Sequence, residues 1–338
     1  MFLAAVLAMS AAACGGSSSA GDDAPAVDGG GIDAPEGPGC GALSPRTVTP
    51  ETFVGPTGLQ ARLISLVDSA QDTLDVHMYL FTVDQIAARI VAAKQRGVAV
   101  RLILDPDNPG NDQVRPALMS GGVPMRNATP LYSFSHAKYM LIDGDRAVIM
   151  SNNFNYDAMN KERNYGMIDR DPDDVADVQA IFDMDWMAAG GMTPTAADLA
   201  CTRLIVSPNN AKQRILDHIN RATTTLELEL QYLSETSVRD AVAAAKMRGV
   251  AVRVILSERT DEAIPALTAL GIPVRFPPTT LLIHAKLIIA DGVVFVGSEN
   301  MSLTSLTKNR ELGALVAEPT PAGVIKTQFE SDWTGANP

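Results

Sequence analysis

The sequence predicts an α/β protein made of two related units, and two observations support this prediction. Residues 72–104 (DTLDVHMYLFTVDQIAARIVAAKQRGVAVRLIL) and 224–256 (TTLELELQYLSETSVRDAVAAAKMRGVAVRVIL) align without a gap, and both contain AAK-x-RGVAVR. Within each stretch, short apolar runs typical of strands alternate with segments of helical periodicity. A repeat of this length is a whole folding unit, and strand–helix alternation predicts a sheet with helices on its faces. We therefore expect two pseudo-symmetric units, each a mostly parallel mixed sheet flanked by helices.

Both units show the same order of predicted elements. LDVHMYLF and LELELQYL are predicted strands, and the helices that follow, over 84–95 and 236–247, should end at Gly97 and Gly249. The nearly continuous apolar runs VAVRLIL and VAVRVIL are typical of strands covered on both faces. The remaining predicted elements are helices over 114–120 and 263–270, a short strand, and the hairpins AKYMLID/RAVIMS and AKLIIAD/VVFVGS.

The charge balance limits the function classes. The 338 residues include 27 Lys and Arg against 39 Asp and Glu, giving a net charge of −12 at pH 7. Such a chain is a poor candidate for binding nucleic acid through non-specific attraction to phosphates. We expect no stable nucleic-acid partner.

The first 39 residues are predicted to be a targeting segment and a linker. Residues 2–13 form a short apolar run typical of a secretory signal, and Ala11-Ala12-Ala13-Cys14 resembles the lipobox of bacterial lipoproteins. We expect residues 1–14 to direct export, with Cys14 lipidated and the protein anchored to the cell envelope; a plain cleaved signal is the alternative. Residues 15–39, rich in Gly, Ser, Pro and Asp, are predicted to be a disordered acidic linker.

The other two cysteines are Cys40 and Cys201. In an exported protein they are candidates for one disulfide, although two unrelated buried thiols fit the sequence equally well. The internal repeat then places the first unit at 40–190 and the second at 191–338.

A repeated motif carries the chemistry. Its first copy contains His136, Lys138, Asp143, Ser151 and Asn153, and its second contains His284, Lys286, Asp291, Ser298 and Asn300. A His and a Lys two residues apart on a strand point to the same face. A Ser and an Asn from the adjoining segment can join them. Two such sets, brought together at the interface of the units, would hold a phosphodiester between two imidazoles.

This pattern resembles the HKD signature (H-x-K-x4-D-x6-G-S-x-N) of the phospholipase D superfamily, over nearly all of residues 57–333. Met150 replaces the family Gly in the first copy, and the second copy is one residue shorter, which predicts a tighter hairpin. Glu311, in Asn309-Arg310-Glu311, matches the acidic residue that orients a histidine in this family. The first copy has Asn164 at that position, with Glu162 two residues earlier.

The resemblance implies a two-step displacement at phosphorus that needs neither metal nor cofactor. We assign His136 as the nucleophile and His284 as the general acid/base, although the reverse would look the same in the sequence. Lys138, Lys286, Asn153 and Asn300 should hold the phosphate oxygens, with Ser151 and Ser298 in support. Asp143 and Asp291 are expected to be structural. Neither serine lies in a G-x-S-x-G turn, and the two histidines lack supporting metal-ligand spacing, so a serine hydrolase and a metal site are poorer interpretations.

Three functions remain open. The first is phospholipase D or phosphatidyl transfer, with cardiolipin synthesis as a variant, acting as a monomer on a phospholipid at a membrane surface. The second is a nuclease of the same superfamily, and the third is a non-catalytic phospholipid-binding lipoprotein.

Four further residues received structural predictions. We expect Trp186 and Trp333, each at the end of a Phe-x-x-Asp-Trp motif, to anchor the core, with a binding role as the alternative. His77 is predicted to be a structural or rim residue, and His218 to be solvated.

Overall fold

Two mixed β-sheets, one for each repeat, form the framework in a computed structural model that describes residues 41–338. The elements of the first repeat are β1 (Glu51–Gly55), α1 (Leu59–Asp68), β2 (Thr73–Met78), α2 (Asp84–Gln95), β3 (Ala99–Leu104), a 3₁₀ turn (Pro109–Gln113), α3 (Arg115–Ser120), β4 (Met125–Asn127), β5 (Lys138–Ile142), β6 (Arg146–Met150), α4 (Tyr156–Asn160), β7 (Glu162–Asp169) and α5 (Pro172–Ala189).

The second repeat has the same order of elements, except that it lacks the 3₁₀ turn and has an additional short strand, Leu282–Ile283. They are β8 (Leu204–Ser207), α6 (Ala211–Asn220), β9 (Thr225–Leu230), α7 (Thr236–Met247), β10 (Ala251–Leu256), α8 (Ala263–Ala269), β11 (Val274–Arg275), β12 (Leu282–Ile283), β13 (Lys286–Ala290), β14 (Val293–Gly297), α9 (Leu303–Thr307), β15 (Glu311–Val316) and α10 (Pro319–Gly335).

The sheets have equivalent strand orders, β1-β7-β6-β5-β2-β3-β4 and β8-β15-β14-β13-β9-β10-β11. The predicted fold class is confirmed, but the expectation of mostly parallel sheets is wrong. Apart from a short parallel pairing of β7 with β12, which comes from the second repeat, only the three strands joined by helical crossovers in each sheet, β2–β4 and β9–β11, pair in parallel. The other four strands of each sheet add antiparallel pairings. The physical reason is that hairpins and short returns connect the later strands, and such connections join antiparallel neighbours.

Helices cover the outer face of each sheet, while α5 and α10 pack into a central core where β5–β7 and β14–β15 of the two sheets also contact each other directly. Side chains alternate along β5, so that Met140 and Ile142 pack under α1–α3 while Tyr139 and Leu141 face the centre. The central core also takes one face of α5, one face of α10 and the inner face of the second sheet. Both α2 and α7 stop where predicted, because Gly97 (φ 102°) and Gly249 (φ 91°) adopt left-handed backbone conformations that favour glycine.

The two tryptophans lie at the edge of the central core. Trp186 stacks on Phe182 with ring centroids 6.1 Å apart, and Trp333 stacks on Phe329 at 6.2 Å. An arginine guanidinium covers each indole, from Arg126 at 4.1 Å and from the equivalent arginine of the second repeat at 4.4 Å. The indoles therefore lie near the C-terminal ends of α5 and α10 and pack against the central core.

His218 corrects a sequence prediction, because it is buried rather than solvated. Only 1% of it is exposed, and its Nε2 lies 3.4 Å from the carbonyl of Ile288 on β13. It shares the buried face of α6 with Ile215 and Ile219, which pack into the core of the second repeat, so the helix directs His218 inward. His77 is also buried, with Nε2 2.6 Å from Ser135 Oγ.

Three predictions fall wholly or partly on residues 1–40. The signal segment, the linker and both Cys14 and Cys40 lie outside the described residues. Cys201 is disulfide-bonded. No helix in residues 41–338 is long and apolar enough to cross a membrane.

Candidate active site

Each motif histidine lies directly before a strand of its own sheet and is held by the backbone of the other repeat. The His136 N–H donates to the carbonyl of Arg310 at 2.9 Å, and the His284 N–H donates to the carbonyl of Arg163 at 3.2 Å. These bonds belong to two short parallel pairings, β12 with β7 and Ser135 with Arg310. Both histidines are therefore positioned at the interface between the repeats.

Two ion pairs also join the repeats behind the histidines, each between an arginine of one repeat and an aspartate of the other. Arg163 donates to Asp332 at 2.6 and 3.1 Å, and the equivalent Arg310 donates to Asp185 at 3.0 Å. Both carboxylates come from the Phe-x-x-Asp-Trp motifs. Arg310 is fully buried, so removal of its partner would leave an unpaired charge in the core.

The His136 imidazole is backed by a carboxylate. Its Nδ1 lies 2.8 Å from Glu311 Oε2 and 3.0 Å from Oε1. Glu311 is itself fully buried and accepts hydrogen bonds from Ser305 Oγ at 2.6 Å and Asn309 Nδ2 at 3.0 Å. An Nδ1–H that donates to this carboxylate leaves the Nε2 lone pair free to face a substrate.

The His284 imidazole is backed by an amide instead. Its Nδ1 lies 3.0 Å from Asn164 Oδ1, which also accepts from Ser151 Oγ at 2.8 Å. Asn164 Nδ2 donates to Glu162 Oε2 at 3.2 Å, and that oxygen is 3.6 Å from His284 Nδ1. Glu-Arg-Asn in the first repeat thus reverses Asn-Arg-Glu in the second, so the carboxylate and amide exchange places behind the two rings.

Both motif lysines are buried beside the histidines. Lys138 Nζ donates to the His136 carbonyl at 2.5 Å, and Lys286 Nζ donates to the His284 carbonyl at 2.6 Å. The ring of Tyr79 lies 5.1 Å from Lys138 Nζ and 4.6 Å from the His136 ring. Two lysine and two histidine side chains therefore lie together at this interface, a set of groups that can bind an anion.

Burial and mutual repulsion keep the bases of this cluster weak in the free protein. Burial lowers the pKa of His136 to about 4, although Glu311 opposes the shift. Burial, Lys286 and Lys138 lower the pKa of His284 well below its usual value. Burial likewise lowers the pKa of Lys138 to about 7 and that of Lys286 to about 8. A bound phosphate would supply the negative charge that this cluster lacks.

The serine hydroxyls of the motif are hydrogen-bonded within the sheets, whereas the Asn153 amide oxygen has no such bond in the described part of the chain. Ser151 and Ser298 accept hydrogen bonds from the N–H groups of Tyr165 and Leu312 at 3.0 and 3.1 Å, so they connect neighbouring strands. Asn153 is buried, and its Oδ1 has no hydrogen-bond partner among residues 41–338. Both serine side chains are therefore engaged by neighbouring strands of the sheet.

The motif aspartates lie at the hairpin turns, away from the cluster. Asp143 (φ 54°) accepts from the N–H groups of residues 71–73, and Asp291 (φ 49°) accepts from those of residues 223–225. The second hairpin is tighter, as predicted, because Ala290 pairs with Val293 whereas Ile142 pairs with Arg146. Both carboxylates hold the start of a neighbouring strand.

Packing explains why Met150 can replace the glycine of the motif in the first repeat. Met150 is fully buried in the outer core of the first sheet. At the equivalent Gly297, a Cβ would lie 2.4 Å from Glu299 Oε2 and 2.6 Å from the Cα of Gly313. The methionine therefore fills a space that Glu299 occupies in the second repeat.

Sequence reasoning missed several residues of the site. Tyr79 and Ser305 carry no motif signal, whereas the reversed Glu162/Asn164 and Asn309/Glu311 pairs are visible once the repeats are aligned. Glu299 is fully buried, with no partner for either carboxylate oxygen among residues 41–338. Burial and nearby Glu311 raise its pKa well above the usual value. No group of three or more potential metal ligands occurs in this part of the chain.

Comparison with known proteins identifies the family. The family described as "Cardiolipin synthase, PLD-like domain" matches residues 63–186 and 215–333, that is, one segment in each repeat. The chain belongs to this family. Membership of the phospholipase D superfamily, inferred from the paired motif, is thereby confirmed.

Individual relatives are more distant. A cardiolipin synthase of Listeria monocytogenes serotype 4a (strain HCC23) is 25% identical over 86% of this chain and 70% of its own length. A mitochondrial cardiolipin hydrolase of Danio rerio is 30% identical over 37% of this chain and 58% of its own. The chain spans about two thirds of the length of the synthases that it matches.

A solved structure shares the fold over most of both chains. Phosphatidylserine synthase of Haemophilus influenzae Rd KW20 superposes with a TM-score of 0.64 and 13% identity, covering 85% of this chain and 86% of that one. At this identity the likeness concerns the fold alone.

Proposed function

We propose that the protein is a phospholipase D-type phosphodiesterase that transfers a phosphatidyl group from a phospholipid to water or an alcohol. The observation that carries this proposal is the paired geometry at the interface. Each imidazole is bound through Nδ1 to a side chain of the other repeat, which leaves Nε2 for the substrate, and a buried lysine lies beside each histidine. This arrangement suits one nucleophile and one acid/base acting on the same phosphorus.

In the proposed first step, His136 Nε2 attacks phosphorus and the bond to the leaving oxygen breaks. Glu311 stabilises the positive charge that develops on the His136 ring, which favours this histidine as the nucleophile. His284 gives its Nε2 proton to the leaving alcohol. The anionic diester offsets the charges of Lys138 and Lys286 and so raises the pKa of His284 in the complex.

In the second step, His284 takes a proton from water or from an acceptor alcohol. The new oxygen attacks phosphorus, the phosphorus–nitrogen bond breaks, and His136 is released in its starting form. The lysines and the Asn153 and Asn300 side chains hold the non-bridging oxygens through both steps.

Phospholipid is the favoured substrate because the matched relatives are named for the synthesis and hydrolysis of cardiolipin. The net charge of −12 disfavours the nuclease, which would need to attract a polyanion. Export, lipidation at Cys14, a Cys40–Cys201 disulfide and a monomeric state complete the proposal. With two motifs in one chain, the site needs no second copy.

The test compares two substrates and three variants in the presence of EDTA. The full chain is assayed on phosphatidylglycerol and cardiolipin vesicles and, separately, on single- and double-stranded DNA. His136→Ala and His284→Ala should abolish formation of phosphatidic acid or of a transferred product, while Lys326→Ala, an exposed control on α10, should retain it. Cleavage of DNA with intact lipid would establish the nuclease instead. Inactivity on all substrates would favour the non-catalytic lipoprotein.

A further inference from the structure

Large apolar side chains are exposed at equivalent positions around both histidines. Phe134 and Leu282 precede the histidines by two residues and are 42% and 44% exposed. Tyr156 and Leu303 begin α4 and α9 and are 64% and 51% exposed. We call these four residues the apolar rim.

Each rim residue lies two or three residues from a motif His or Asn in the sequence, and we call the surface that the four form the mouth of the site. The Leu282 N–H donates to the carbonyl of Lys161, the residue that ends α4, at 3.0 Å. The Phe134 carbonyl accepts from the N–H of Arg310 at 2.9 Å, next to the end of α9. Each rim residue that precedes a histidine therefore lies near the short helix that a rim residue of the other repeat begins.

Repetition distinguishes the rim from ordinary exposed apolar residues, which occur singly on most proteins. Met247 and Val324 are also exposed, but the aligned residues of the first repeat are polar, Gln95 and Asp177. In residues 41–338, both repeats expose a large apolar side chain at equivalent positions only at the mouth. The apolar character is therefore a property of this surface rather than of either sequence segment.

Two exposed lysines accompany the rim. Lys161 ends α4, where its Nζ lies 5.2 Å from the ring centroid of Tyr156, and Lys308 ends α9 at the equivalent position. Lys161 pairs with Asp157 at 3.0 Å, whereas Thr304 stands at the aligned position near Lys308. An otherwise acidic protein thus presents apolar and cationic side chains together at the entrance to its site.

We propose that the apolar rim, with Lys161 and Lys308, docks the protein on the surface of an anionic phospholipid bilayer. This inference rests on the proposed phospholipid substrate and adds the surface through which that substrate enters. The rim side chains insert between acyl chains while the lysines meet the phosphate groups. Docking places a headgroup phosphate at the lysine–histidine cluster without full extraction of the lipid from the bilayer.

The first test measures vesicle binding and catalysis separately. Tyr156→Ser/Leu303→Ser removes the two rim side chains that begin α4 and α9, and Met119→Ser/Met247→Ser removes two exposed apolar side chains elsewhere. Sedimentation with mixed phosphatidylcholine–phosphatidylglycerol vesicles should show binding weakened about tenfold or more in the rim variant only. Both variants should hydrolyse a soluble aryl phosphodiester at the wild-type rate.

The outcomes separate the two proposals. Wild-type binding by the rim variant, equal losses in both variants, or no binding by the wild type would overturn the docking surface. Bound protein that cleaves neither vesicle lipid nor the soluble diester would instead overturn the proposed reaction. Lys161→Gln/Lys308→Gln supplies the charge test, because it should weaken binding to phosphatidylglycerol vesicles and leave binding to pure phosphatidylcholine unchanged. Equal binding to both kinds of vesicle would contradict the choice of an anionic surface.

Discussion

The two halves of the site have the same backbone arrangement and differ in the side chain that binds Nδ1 of each histidine. Glu311 lies behind His136 and Asn164 lies behind His284, at distances of 2.8 and 3.0 Å from Nδ1. A carboxylate stabilises a positively charged ring, whereas an amide oxygen fixes its orientation with less effect on its charge. A duplicated fold has thus become an asymmetric pair suited to two different roles.

The position of Glu162 sharpens this contrast. Its Oε2 lies 3.6 Å from His284 Nδ1, and burial raises the pKa of Glu162. In the other half, His136 and Lys138 outweigh burial and lower the pKa of Glu311. The charged carboxylate is therefore in direct contact with only one of the two rings.

The largest expected effect comes from replacing either histidine with alanine. His136→Ala and His284→Ala should each reduce turnover of phospholipid about 10³-fold or more, because nucleophile and acid/base act as a unit. An aryl diester, whose leaving group needs no acid, distinguishes the halves. His284→Ala should accumulate a phosphoenzyme visible in rapid-quench labelling, and His136→Ala should form none. The opposite labelling pattern would reverse the assignment of the two roles.

The second prediction concerns stability at the aligned positions Met150 and Gly297. Met150→Ala should destabilise the protein by about 2–5 kcal/mol through a buried cavity. Gly297→Ala should cost about 1–3 kcal/mol because its Cβ meets backbone and a buried carboxyl. Urea unfolding followed by circular dichroism measures both, with Lys326→Ala as the neutral control. A neutral Gly297→Ala would show that the second repeat has room for the side chain of the first.

The third prediction compares the groups behind the rings. Glu311→Gln should lower kcat about 100-fold or more, since a carboxylate that holds and stabilises a catalytic imidazole contributes strongly. Asn164→Ala should lower kcat only about tenfold, the value of one hydrogen bond of roughly 1 kcal/mol. Steady-state kinetics on the soluble diester test this, and equal losses would remove the proposed asymmetry.

The smallest expected effect is a shift in the pH dependence of kcat/KM when the side chain behind a histidine is replaced. With an aryl diester, whose leaving group needs no proton from His284, only His136 must be neutral to attack, so kcat/KM should rise with pH through the His136 pKa of about 4. The lysines must be charged to hold phosphate, so it should fall above their pKa values of about 7 and about 8. Glu311→Gln removes a charge that raises the His136 pKa and should move the acidic limb to lower pH. Asn164→Ala should leave that limb in place, and a shift of equal size in both variants contradicts the model.

Much of the fold could be predicted because its signals are local. The helices over 84–95 and 236–247 have the predicted bounds, and the Gly residues that follow them end each helix as expected. His218 and the sheet pairing were predicted wrongly for the same reason. Which face of α6 meets β13, and which strands become neighbours, depends on packing that no short window of sequence contains.

The sequence by itself determined the duplication, the alternating elements and the residue types of the site, because periodicity and motif spacing are properties of the chain. Only the tertiary structure decided which carboxylate or amide supports which histidine. His136 and Glu311 are 175 residues apart, and His284 and Asn164 are 120 apart, yet both pairs are in hydrogen-bond contact. The reason is that each motif histidine pairs with the backbone of the opposite repeat, so the side chain bound to its Nδ1 comes from the other half of the molecule.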